Sequence, residues 1–108
     1  MYNSKKIKNM VIDFQSTNFK ADQKLLDFIS TKLSKLDRYH NGIVNGTVYL
    51  KVDHVSDKNN KTIEIKVNLA DSQLFVTEHD RTFEAATDNA MDALKHQLDK
   101  IKTKQAAI

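Results

Sequence analysis

Two stretches decide the fold: Thr47-Val48-Tyr49-Leu50-Lys51-Val52-Asp53 (TVYLKVD) and Lys61-Thr62-Ile63-Glu64-Ile65-Lys66-Val67-Asn68-Leu69 (KTIEIKVNL). In the first, Val48, Leu50 and Val52 alternate with Thr47, Tyr49, Lys51 and Asp53; in the second, Ile63, Ile65, Val67 and Leu69 alternate with mostly polar partners. A period of two marks a strand with one buried and one wet face. The polar run Ser56-Asp57-Lys58-Asn59-Asn60 between them makes the pair a hairpin.

Upstream, NMVIDFQS repeats the alternation, with Met10, Ile12 and Phe14 on one side and Val11, Asp13 and Gln15 on the other. Asp22 is a good N-cap, since its carboxylate can accept from the free N–H groups of a first helical turn. The helix is expected to run to about His40, with Leu25, Leu26, Ile29, Leu33 and Leu36 within an arc of roughly 100°. Asn41-Gly42 should end it, the glycine taking the left-handed conformation common past a helix end. Downstream, a shorter strand is expected at Gln73 to Glu78, and Thr82 is a second N-cap candidate. Phe83, Ala86, Ala90, Met91, Leu94, Leu98 and Ile101 then hold one face of a last helix. Both termini, Met1 to Lys8 and Gln105 to Ile108, should fray, leaving an ordered core of about residues 8–104.

The expected class is therefore α+β in the order β-α-β-β-β-α: a four-stranded, mainly antiparallel sheet with two helices packed on one face. At 108 residues the chain makes one domain, with no internal repeat and no linker. It has no cysteine, which excludes disulfides and thiolate metal sites, and no apolar run long enough to span a membrane. The cytoplasm is the default location. No cofactor is expected.

A search for catalytic chemistry finds little. None of His40, His54, His79 and His96 shares an i, i+4 spacing with another, so no helical zinc motif exists. With Gly42 and Gly46 as the only glycines, there is no phosphate loop, and no nucleophile elbow appears. The acidic row Glu84, Asp88 and Asp92 sits early in the last helix, and Lys95, Lys100, Lys102 and Lys104 sit late. That distribution complements the helix dipole and needs no metal or acid–base role. An enzyme is not expected.

The net charge is +3 and the pI about 9.1. On the first helix Lys24, Thr31, Lys35 and Arg38 lie opposite the leucine stripe, with Lys32 nearer its boundary; Asp27 and Asp37 interrupt the field. If the two helices lie side by side, their lysines are expected to make one continuous cationic patch. Phe14, Phe28, Phe83 and Tyr39 fit core or core-edge positions, and Tyr49 stands on the open sheet face. No paired aromatic strand motif for base stacking is present, so any RNA contact should run through phosphates and shape.

Three segments carry a family resemblance. KLSKLDRY (Lys32 to Tyr39), VYLKVD (Val48 to Asp53) and ALKHQLDKIKTK (Ala93 to Lys104) resemble a helix end, the second strand and the basic final helix of the ribosome hibernation-promoting factor and ribosome-associated inhibitor family. The resemblance spans Met10 to Lys104 and implies a fold like double-stranded-RNA-binding domains. It also implies a function without catalysis: basic helices dock on ribosomal RNA of the small subunit and fill the channel used by messenger RNA and by transfer RNA at the A and P sites. Translation stops and idle ribosomes are protected under stress.

Taken with the outward helix faces, the expected ribosome-facing patch is Lys24, Lys32, Lys35, Arg38, Lys95, His96, Gln97, Lys100, Lys102 and Lys104. Lys32, Lys35, Gln97, Lys100, Lys102 and Lys104 match the family pattern, whereas Arg38 lies at a variable position. Ala93 and His96 replace residues that are commonly basic in the family, and Thr82-Phe83-Glu84 departs from its usual helix opening. The implied partners are the small subunit and the whole ribosome, with no membrane and no small-molecule substrate, the protein being monomeric off the ribosome. A chain ending at Ile108 is the expectation for a short form. Two alternatives stay open from the residues alone. One is a structured-RNA module unrelated to ribosomes; the other is a protein-interaction domain using the open sheet face with Tyr49 and Lys51.

Overall fold

The computed structural model describes residues 2–7, 10–39, 42–53 and 58–106, with side chains for 11–39, 42–53 and 58–101. Its elements are β1 (Tyr2–Ile7), β2 (Met10–Thr17), α1 (Gln23–Ser34), a 3-10 turn (Lys35–Arg38), β3 (Ile43–Val52), β4 (Lys61–Leu69), β5 (Gln73–Asp80) and α2 (Phe83–Ala106). From β2 onward the order is the expected β-α-β-β-β-α.

The strands lie in the order β1-β2-β3-β4-β5, with only β2 and β3 parallel. That one parallel pair follows from α1, which carries the chain back across the sheet between β2 and β3. The alternation sets the register. Phe14, Val48, Ile65 and Val76 stand opposite one another across four strands, and all four are buried.

β1 corrects the expectation of a frayed start, because Tyr2–Ile7 pairs antiparallel with β2. Its sequence, YNSKKI, has no apolar alternation. An edge strand is held by backbone hydrogen bonds, which any side chain permits, so side-chain patterning is silent there. The other end differs too: α2 continues through Ala106, two residues into the segment expected to fray.

The helices lie on the apolar face, α1 against β1 and β2 and α2 against β4 and β5, and they touch each other. The α1 stripe of Leu26, Ile29, Leu33 and Leu36 is buried, with Leu25 partly so. On α2 the whole stripe is buried except Ile101, which is partly so, and Thr87 joins it. The Thr87 hydroxyl donates to the carbonyl of Phe83 at 2.6 Å, which satisfies it inside the core. Both N-caps form: Asp22 Oδ1 accepts from the Leu25 N–H at 2.8 Å, and Thr82 Oγ1 from the Ala85 N–H at 3.1 Å.

Asn18 takes a left-handed φ of 72°, turning the chain from β2 toward α1, and its amide donates to the Val52 carbonyl at 3.1 Å. Phe19 then stacks on Phe83, ring centroids 4.9 Å apart, so the entry to α1 is packed on the entry to α2. These contacts fix how the two helices sit side by side.

Candidate nucleic-acid interface

α1 does not remain an α-helix to His40. It closes at Ser34, and Lys35–Arg38 tighten into a 3-10 turn, with the Lys35 N–H bonded to the Lys32 carbonyl and the Tyr39 N–H to Leu36 at 2.8 Å. Tightening brings Leu36 beneath Leu33, three residues earlier, and both are fully buried. In such a turn residues three apart eclipse, so Lys35 and Arg38 point the same way, and both are exposed. His40 and Asn41 lie outside the described residues. Gly42 has no positive φ, so the expected left-handed stop is not made at that glycine.

Where α1 meets α2, a groove of about 330 Å³ is lined by Lys32, Lys35, Asp88, Met91, Asp92 and Lys95. Helical spacing explains the α2 side: positions 88, 91, 92 and 95 fall along one flank at i, i+3, i+4 and i+7. Met91 is buried and forms the floor. Lys32 Nζ lies 3.3 Å from Asp88 Oδ1 and 5.4 Å from the centroid of the Phe28 ring. Lys95 Nζ lies 5.8 Å from the centroid of Tyr39, a second link between the helices. With Lys32 33% and Asp88 57% exposed, their ion pair is screened and contributes at most about 1 kcal/mol. It orients Lys32 more than it stabilises the fold.

The expected single patch divides in two. Lys32, Lys35 and Lys95 converge on the groove. Arg38 is exposed on the adjoining 3-10 turn, and Lys24 is exposed about 12 Å back along α1 from Lys32. Gln97 instead lies on the opposite flank of α2, where its amide donates to the Phe75 carbonyl of β5 at 3.2 Å. Asn89, two turns earlier on that flank, donates to Asp80 Oδ2 at 3.1 Å. Lys100 follows Gln97 by three residues, and His96 sits between the flanks; both are exposed, and neither lines the groove. The side chains of Lys102 and Lys104 lie outside the described residues.

Sequence reasoning assigned Asp88 and Asp92 to the helix dipole and did not foresee them among the lysines. Their i, i+4 spacing was the available signal, but the partner helix had to be placed first. Phe75 was missed as well; it is 52% exposed on the open sheet face, opposite Lys66.

A second polar cluster lies at the far end of the hairpin. The buried Thr62 hydroxyl is 2.7 Å from Asp53 Oδ2 and 2.7 Å from His79 Nδ1, and Lys51 Nζ is 3.4 Å from Asp53 Oδ1. The hydroxyl has one proton, and a carboxylate can only accept, so Thr62 donates to Asp53 and His79 Nδ1–H donates to Thr62. That order is opposite to nucleophile activation, in which the imidazole takes the hydroxyl proton. The Thr62 hydrogen bond, helped by Lys51 and partly opposed by desolvation, holds the Asp53 carboxyl below its ordinary 3.8. Among the described residues no group of three or more His, Cys, Asp or Glu could hold a metal ion. No helix among them is long and apolar enough to cross a membrane.

Residues 12–106 match the family described as Sigma 54 modulation protein / S30EA ribosomal protein. The chain belongs to this family. It is 30% identical over 95 residues to the ribosome hibernation promotion factor of Deinococcus radiodurans, covering 87% of this chain and 50% of that protein. The corresponding figures for the ribosome hibernation promotion factor of Bacillus subtilis are 28% over 95 residues, 88% and 50%. The chain thus spans about half the length of the curated relatives it matches.

Among solved structures, the N-terminal domain of Thermus thermophilus Protein Y superposes with a TM-score of 0.73 at 27% identity, covering 87% of this chain and 99% of that one. A ribosomal subunit interface protein from Coxiella burnetii gives a TM-score of 0.75 at 20% identity, covering 85% and 97%, and shows the shared fold. The expected family and the β-α-β-β-β-α arrangement are therefore both found.

Proposed function

We propose that this chain is a ribosome hibernation factor that docks the groove between α1 and α2 on RNA of the small ribosomal subunit. The observation that carries the reading is the convergence of Lys32, Lys35 and Lys95, from two helices, on one groove in a chain of this family. Ammonium groups so placed neutralise phosphates without reading sequence, and the displaced counterions supply much of the binding free energy. Bound there, the domain occupies the channel for messenger RNA and for transfer RNA at the A and P sites. It inhibits translation by occlusion, in the cytoplasm, with no chemical step. Arg38 and Lys24 extend the contact along α1.

Sedimentation through sucrose gradients tests this. The protein should travel with small subunits or whole ribosomes at low salt and leave them as salt rises. Protein that stays at the top of a low-salt gradient with ribosomes from its own source overturns the proposal. An excess of free RNA duplex that strips it from ribosomes favours a general structured-RNA module instead.

A further inference from the structure

A groove meant only for phosphates has no use for carboxylates, yet two line this one. They are not equivalent. Asp88 is engaged with Lys32 at 3.3 Å. Asp92, one turn further along the same flank, is exposed and makes no ion pair or hydrogen bond among the described residues. Among the same residues Lys35 has no acid partner, and Lys95 meets only the face of Tyr39. What remains open to a ligand is therefore two cations, one carboxylate and the apolar floor of Met91.

We propose that the groove seats a single guanine nucleotide, with its phosphate on Lys35 and Lys95 and the N–H edge of its base on Asp92. This rests on the RNA-binding reading of the groove and gives it a preference. Guanine alone among the bases presents two adjacent donors, N1–H and N2–H, to which one carboxylate can accept in a bidentate pair. In cytosine and adenine the amino group stands beside a ring nitrogen acceptor, and in uracil the N–H is flanked by two carbonyls, so a carboxylate meets repulsion as well as attraction. The groove, about 330 Å³, is at the small end of ligand sites and fits one nucleotide rather than a duplex. An unpaired base can also rest on a methionine thioether, a favourable sulfur–aromatic contact. Asp88 has a different part: it engages Lys32, whose ammonium lies over the Phe28 ring.

Fluorescence anisotropy at low salt with labelled pentanucleotides UUGUU, UUCUU, UUAUU and UUUUU tests the proposal. UUGUU should bind at least about fivefold more tightly than UUUUU, the low end for a good bidentate base contact. Asp92→Asn should tighten UUUUU slightly, because one negative charge is gone, while bringing UUGUU close to parity with it. Asp92 is exposed and has no partner among the described residues, so unchanged circular dichroism and melting should accompany the variant.

If Asp92→Asn tightens UUGUU and UUUUU by the same factor, the carboxylate only repels and the proposal is overturned. It is overturned too if the wild type binds all four equally, or binds none while still sedimenting with ribosomes; either leaves the ribosome reading intact. Displacement of UUGUU by free GMP, and not by UMP, at comparable concentration identifies a free guanine nucleotide as the ligand. Failure of GMP with success of unlabelled UUGUU identifies an unpaired guanosine within RNA.

Discussion

Neutralising the two groove lysines that have no acid partner among the described residues, Lys35→Gln with Lys95→Gln, removes two phosphate contacts and leaves the helices in place. Neither residue belongs to the buried stripes; Lys95 gives up only its contact with the Tyr39 ring. Each phosphate contact adds about 0.9 to the slope of log affinity against log salt on duplex RNA, and about 0.7 on single strands, if the values for DNA carry over. Losing two should flatten the slope by about 1.4 to 1.8. Between 50 and 200 mM salt, a fourfold range, the wild type should then lose about 7- to 12-fold more affinity than the variant. Binding of the labelled protein to purified small subunits across that range measures the difference directly. Lys58→Gln with Lys100→Gln is the control: it removes the same charge from two exposed positions outside the groove. Equal flattening in both double variants means that cations anywhere on the surface serve alike. The groove then has no special part, and the reasoning from its geometry fails.

Two further outcomes follow from particular contacts. Asp88→Asn frees Lys32 and removes a negative charge, so affinity for generic RNA should rise about twofold while stability falls by less than about 1 kcal/mol, as for a screened surface pair; a drop in RNA affinity in a filter-binding assay contradicts this. Asp53 has a folded-state pKa below its ordinary 3.8, so its contribution to stability is present above 3.8 and is lost as pH falls through the lower folded value. Urea midpoints followed from pH 5 downward should fall more steeply for the wild type than for Thr62→Val, in which the chief cause of the depression is gone, and identical profiles exclude the Thr62 hydroxyl as that cause.

Most of the fold was legible because its strands are half-buried and its helices carry one stripe each. Ile12, Phe14, Val48, Leu50, Ile63, Ile65 and Val67 announce their face by period alone, and all are buried. Asp22 and Thr82 announce the helix starts, because capping is local chemistry between a side chain and the next few N–H groups. What escaped is what local patterning cannot encode. β1 is paired through backbone atoms of a distant segment. The 3-10 turn at Lys35–Arg38 serves the burial of Leu36, a tertiary demand. The candidate site was legible as a set of cations and not as a place. Whether Lys95 or Gln97 faces α1 depends on a rotation of α2 that only its packing on β4 and β5 decides.

That rotation gives α2 its division of labour. One side of the helix, with Phe83, Ala90, Leu94 and Leu98, is consumed by the core. A second flank is tied to β5 through Asn89 on Asp80 and Gln97 on the Phe75 carbonyl. The Phe75 carbonyl belongs to an edge strand, where an open acceptor invites another strand, so Gln97 both anchors the helix and blunts that edge. Its position in the basic segment of the helix made it a natural candidate for RNA, but its amide already has a protein acceptor. The flank facing α1 is different, because there the polar groups outnumber their partners among the described residues: Lys35 and Asp92 have none there, and Lys95 has only a ring face. A ligand that supplies both an anion and N–H donors satisfies that surplus at one stroke. A bare phosphate satisfies only the lysines and leaves Asp92 opposed to it. The charge arrangement of the groove therefore favours a nucleotide over a phosphate alone.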